Sequence, residues 1–77
     1  MKIALVDWVD SRTYSGWRDL DDVDRAVPAP IQSVGWLVQK RKDAIVIALS
    51  NTGDIQDIGE VLVIPKGCVK GIKFLES

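Results

Sequence analysis

Between positions 8 and 18 the chain gathers aromatic, cationic and small polar side chains: Trp8, Asp10, Ser11, Arg12, Tyr14, Trp17 and Arg18. Aromatic faces stack on flat ligands, arginine guanidiniums fork onto phosphates, and an aspartate or serine can read a ribose hydroxyl or a base edge. Together they are the parts of a pocket for a small nucleotide-type ligand. Tryptophans serve more often as anchors of a core or an interface, and the same residues have that second reading.

The other reactive groups point to little chemistry. Asp19, Asp21, Asp22 and Asp24 do not follow a calcium-loop spacing, and acids at a helix start are favoured by the helix dipole alone. With no histidine in the chain and one cysteine, the usual zinc sets are out of reach, and Cys68 has no imidazole to activate it. Ser11, Tyr14 and Ser15 lack a recognisable activating partner, and no spacing selects a pair of carboxylates. Lys40, Arg41 and Lys42, with Lys66, Lys70 and Lys73, are two cationic groups that a closed barrel would bring to one phosphate-binding rim; such charges also serve to keep a turn wet and an edge strand unpaired. The expectation is a binding protein without catalytic residues, metal or cofactor.

These groups must be positioned by short strands. Residues 2–9 alternate so that Ala4, Val6 and Trp8 share one side and Ile3, Leu5, Asp7 and Val9 the other. Residues 10–17 read as a polar, aromatic-rich loop, and 19–27 as one or two helical turns that Asp19 can cap, ended by Pro28 and Pro30. The central stretch, 33–50, holds two apolar runs, 34–38 and 44–49, on either side of a charged gap, which is the pattern of a β-hairpin. The small residues Gly35, Ala44 and Ala48 fall on one side of that pair, allowing strong curvature. A loop over 51–59 carries Ile55 and Ile58, expected to tuck against the core or a neighbour. A strand over 60–64, a Pro-Lys-Gly turn and a closing strand over 68–75, irregular at Gly71, complete the chain. The expected fold is mainly β, a small five-stranded SH3-like or Sm-like barrel with one short helix, a single domain over 1–77.

Ten Lys and Arg against eleven Asp and Glu give a net charge of −1, which disfavours affinity built on non-specific phosphate contacts. At 77 residues and 47% hydrophobic, the chain has more apolar surface than its own interior hides, so a homo-oligomer is expected. Only four apolar residues precede Asp7, too few for a signal-peptide core, and no run approaches a membrane span; a cytoplasmic protein is expected.

The order VGWLV, DAIVIALS and GEVLVIPKGCVKGI, preceded by Trp8, Asp10, Ser11, Gly16 and Trp17, resembles a group of small, mostly uncharacterised proteins encoded by bacteriophages and prophages. The resemblance covers most of the chain and is clearest over 63–72, which is also similar in pattern to the last strands of Sm-like barrels. It implies a phage setting in a bacterial host cell and an Sm-like shape. Within that setting the expected role is non-enzymatic sequestration of a nucleotide-derived host immune signal, in pockets at or near subunit boundaries. An Sm-like ring binding RNA or DNA, or a structural or protein-inhibiting partner, are the alternatives.

Overall fold

A computed structural model describes residues 1–53 and 57–75. Five strands form one antiparallel sheet: β1 (Ile3–Asp10), β2 (Ala29–Lys40), β3 (Ala44–Asn51), β4 (Ile58–Pro65) and β5 (Val69–Leu75), in the order β4-β3-β2-β1-β5. One short helix, α1 (Leu20–Val23), lies in the long connection from β1 to β2, and a 3₁₀ turn, Lys66–Cys68, joins β4 to β5.

The sheet curls but does not close. Ala4 and Val6 of β1 form one buried cluster with Ile45 and Ile47 of β3 and Ile64 of β4, although β1 and β3 are not neighbours in the sheet. Trp8, Leu37, Leu62, Cys68, Val69 and Ile72 pack around it. The expected barrel is not closed, and β4 and β5 lie at opposite edges of the sheet. The expected Pro-Lys-Gly turn between them is present as the 3₁₀ turn. Pro65 has no amide to give to a ladder, and Lys66 N donates to Asp43 O at 2.9 Å, so the chain is tied to the start of β3 before it crosses to pair with β1.

Several elements differ in extent from their sequence pattern. β2 starts at Ala29 and passes through Pro30, which lies opposite Val9. There β2 pairs with β1 alone, because β3 joins it only from Trp36 onward, so a missing amide on the free side costs nothing. The helix shrinks to four residues: Asp19 takes the N-cap position without a side-chain bond, and Leu20, Val23 and Val27 find nothing to pack on. A helix this short has little stability without burial. Ile58 belongs to β4, opposite Asn51, and is exposed rather than tucked away; Ile55 lies outside the described residues. The expected irregularity at Gly71 is a register shift against Asp7 and Trp8.

Gly35, Ala44 and Ala48 do not share a face. Gly35 opposes Ala4, on the core side, whereas Ala48 opposes Trp36 on the other. What Gly35 permits is the close approach of β3: a Cβ there would meet the Ala48 carbonyl oxygen at 2.7 Å. Ala44, Ile45, Val46, Ile47 and Ala48 are all buried, so β3 is covered on both faces.

Gly35→Ala is expected to cost about 2 kcal/mol in urea denaturation, because the obstacle is backbone in a fully paired region. Gly67→Ala, with open space around its Cβ, is the control and should stay within about 0.5 kcal/mol.

Candidate ligand-binding site

Residues 11–28 form an arm between β1 and β2 in which no side chain is buried. It lengthens the molecule to 53 × 23 × 21 Å, with a radius of gyration of 15.9 Å where a compact chain of this length has about 11 Å. A stretch this polar has no core of its own, so hydrogen bonds must hold it. Tyr14 does so: its hydroxyl accepts from Val27 N and donates to Val27 O, both at 3.4 Å, and accepts from Arg12 Nη1 at 3.2 Å. One donor and two acceptor sites are all that a phenol has, and all three are used. The oxygen is committed to the arm. The ring faces and the arginines are what remain for a ligand.

Two guanidiniums flank the ring, Arg12 at 5.9 Å and Arg18 at 5.6 Å from its centre, both within cation–π range. Arg18 Nη2 also donates to Ser15 O at 3.4 Å, which leaves most of its donors free. The ring separates two concavities. One, of about 370 Å³, is lined by Tyr14, Arg18, Asp22, Val23, Arg25 and Ala26. The other, of about 250 Å³, is lined by Ser11, Arg12, Tyr14, Ala26, Val27 and Pro28. Two arginines over one aromatic ring, with Arg25 lining the larger concavity, can take an anion in their N–H forks and a flat group beside it.

The cations mark the phenol itself. The hydrogen bond from Arg12 does most to lower the Tyr14 pKa from its ordinary value and the backbone bond with Val27 adds to it; desolvation opposes them, and the charges of Arg12 and Arg18 contribute less in the lowering direction.

Of the residues singled out from the sequence, Ser11, Arg12, Tyr14 and Arg18 come together on the arm. Asp10 turns back locally, its Oδ1 accepting from Ser11 N at 2.8 Å. Trp8 stands apart on β1, packed against the core with Nε1 donating to Ser33 Oγ at 3.1 Å. It lines a different shallow concavity of about 360 Å³ that includes Gln32 and Lys70. Trp17 lines neither arm concavity and is 102% exposed. Val23, Arg25, Ala26, Val27 and Pro28 are lining residues not singled out from the sequence as a site, and Asp22 was weighed there only as a metal ligand. Arg25 was within reach of that reading, as a third arginine in a stretch with two already chosen; the apolar four carry no signal.

The remaining candidates are dispersed. Among the described residues no group of three or more acids or cysteines is arranged to hold a metal ion. Arg41 pairs with Asp43 at 3.6 Å in an exposed ion pair, Lys2 lies over Phe74, and Lys73 opposes Leu5 on the face away from the core. Cys68 is a free thiol packed against the core. Among the described residues no helix is long and apolar enough to cross a membrane. Comparison of the chain with protein-family models, with curated proteins and with solved structures finds no match.

Titration of Tyr14 by the ultraviolet absorbance of its phenolate, the only tyrosine signal in the chain, should give a midpoint below 10. Arg12→Ala is expected to move it back toward 10, and an unmoved midpoint would mean that Arg12 does not reach the phenol.

Proposed function

We propose that the protein is a non-enzymatic binder that captures a small nucleotide-type anion on the arm, with Arg12, Arg18 and Arg25 meeting the phosphates and the Tyr14 ring beside the base or sugar. The observation that carries this reading is the placement of two guanidiniums, Arg12 and Arg18, over the Tyr14 ring, with Arg25 beside Arg18 in the larger concavity, on a polar arm with no core to stabilise. The arm also carries Asp19, Asp21, Asp22 and Asp24, so the anion would be held by the local excess of guanidinium at the concavity and not by the net charge of the arm. Asp22 lines the same concavity and leaves Arg18 and Arg25 in excess over it.

The bacteriophage resemblance gives the reading its biological form. A phage protein that holds a nucleotide-derived immune signal in the cytoplasm of its bacterial host blunts the defence by mass action and needs no catalytic group. The sites would lie at or near the boundaries of a homo-oligomer. An Sm-like nucleic-acid ring has less support, because the lysines it requires are divided between the hairpin tip, the 3₁₀ turn and the face away from the core.

Calorimetry with a cyclic dinucleotide and with ADP tests the anion site, and native mass spectrometry after incubation in a nucleotide-rich extract of infected bacteria searches for the physiological ligand. Arg18→Ala and Arg25→Ala should each weaken binding at least about tenfold, the order expected for one charge-assisted bond, whereas Arg41→Ala at the hairpin tip should leave it unchanged. A protein that retains no small anion, or whose affinity is indifferent to Arg18 and Arg25, would sink the reading. Tight RNA binding with a steep loss on adding salt would replace it with the ring.

A further inference from the structure

The arm carries a second feature that ligand capture leaves unused. Trp17 is 102% exposed and Leu20 87%, and neither touches the sheet. The whole chain exposes 6003 Å², whereas a compact monomer of 8.5 kDa exposes about 4,700 Å². The excess, about 1,300 Å², is larger than the roughly 800 Å² that each partner covers in a stable interface of standard size.

The sheet holds a receptor of matching character. A groove of about 460 Å³ runs between β2 and the β3–β4 pair, walled by Val34, Leu49, Val61 and Leu62 with the exposed polar residues Gln32 and Glu60 beside them. Leu49 is 62% exposed in that groove, unusual for a leucine in the most buried strand of the sheet. Gln32 gives its Nε2 to Asp7 and keeps its carbonyl oxygen as an acceptor, which a buried indole N–H requires. Glu60 has a φ of 56°, the sole non-glycine residue with positive φ among those described. Left-handed backbone at a bulky residue is found where a binding surface holds it there. Among the described residues the one ion pair is Arg41–Asp43, so the Glu60 carboxylate has no cation within its own copy, while Arg18 follows Trp17 directly.

We propose that the chain pairs with a second copy of itself by exchange of arms: Trp17 of each copy enters the β2–β3–β4 groove of the other, and Arg18 meets Glu60 across the boundary. The contact is isologous, each copy giving one arm and one groove, so it closes on itself as a two-fold pair. It lays the partner's sheet over the open arm concavity and gives that site walls from both copies. The inference goes beyond the ligand reading and stands without it, since apolar area drives it; Arg18 is the one residue that both readings use, and the test substitutions therefore leave it in place.

The test is sedimentation equilibrium of the full chain without ligand. The expected mass is twice 8.5 kDa, or a multiple of that pair. Trp17→Ala and Leu49→Arg, both at positions exposed in a single copy, should each raise the dissociation constant about thirtyfold or more while circular dichroism stays unchanged. Val61→Arg is a second groove variant should Leu49→Arg disturb the strand. Mixing the Trp17→Ala chain, which keeps its groove, with the Leu49→Arg chain, which keeps its arm, should restore mixed pairs, visible by their intermediate mass in native mass spectrometry. A wild-type chain that remains monomeric, an oligomer indifferent to both substitutions, or a mixture that forms no mixed pairs overturns the proposal. Anion binding is read separately, so its failure would leave the oligomer result intact.

Discussion

The approach of β3 to β2 at Gly35 is the contact on which the rest of the molecule rests. The Ala48 carbonyl oxygen occupies the space that any Cβ at position 35 would need. Close contact there, followed by the register shift between Leu37 and Gln39, lets the second half of the sheet turn toward the first. Only then do Ile45, Ile47 and Ile64 face Ala4 and Val6. The partners of that cluster are small on one side, Ala4 and Val6, and larger on the other, so the curl must be tight for them to meet without a gap. A flat sheet of these strands would have no interior.

The arm obeys a different economy. Eighteen residues without a buried side chain gain little from the hydrophobic effect, and ordering each of them costs about 1–2 kcal/mol of backbone entropy where it is fully fixed. The Tyr14 clasp onto Val27 joins the two legs and shortens the span that must be ordered. The sheet holds the core and the arm carries the exposed arginines and Tyr14, joined at Asp10 and Ala29 where β1 and β2 end their ladder.

Strands that carry their own apolar runs were legible from the chain. The alternation that set Ala4, Val6 and Trp8 on one side is the alternation that buries Ala4 and Val6 and packs Trp8 against their cluster, and the Gly71 irregularity is the register shift at β5. What escaped depends on pairs far apart in sequence. Nothing in the spacing joins Tyr14 to Val27, and nothing in the hairpin pattern reveals that β4 and β5 take opposite edges, because the Lys66–Asp43 bond that decides it is a backbone contact available to any residue. Pro30 lies past the helical stretch, as its sequence suggests, and the extended segment that includes it is longer than expected because β2 pairs there on one side alone. Of the two tryptophans placed in one candidate pocket, Trp8 belongs to a strand and takes a core position, whereas Trp17 belongs to the arm and takes none. The same residue type at a nine-residue separation serves two purposes, and only the element that carries it decides which.

The left-handed backbone at Glu60 bears on how the protein stays in solution. β4 is an edge strand, and its Val61–Leu62–Val63–Ile64 run is apolar, uncharged and half-exposed on one face. Such a run at an open edge is a template for stacking chain on chain. Glu60 bends the backbone out of the pleat immediately before it, and Pro65 withholds an amide immediately after it. The flat stretch left between them has four residues, fewer than the six or seven that a cross-β spine recruits. The two bracketing residues thereby act as gatekeepers against fibre formation, allowing the strand to remain apolar enough to hold Ile64 in the core.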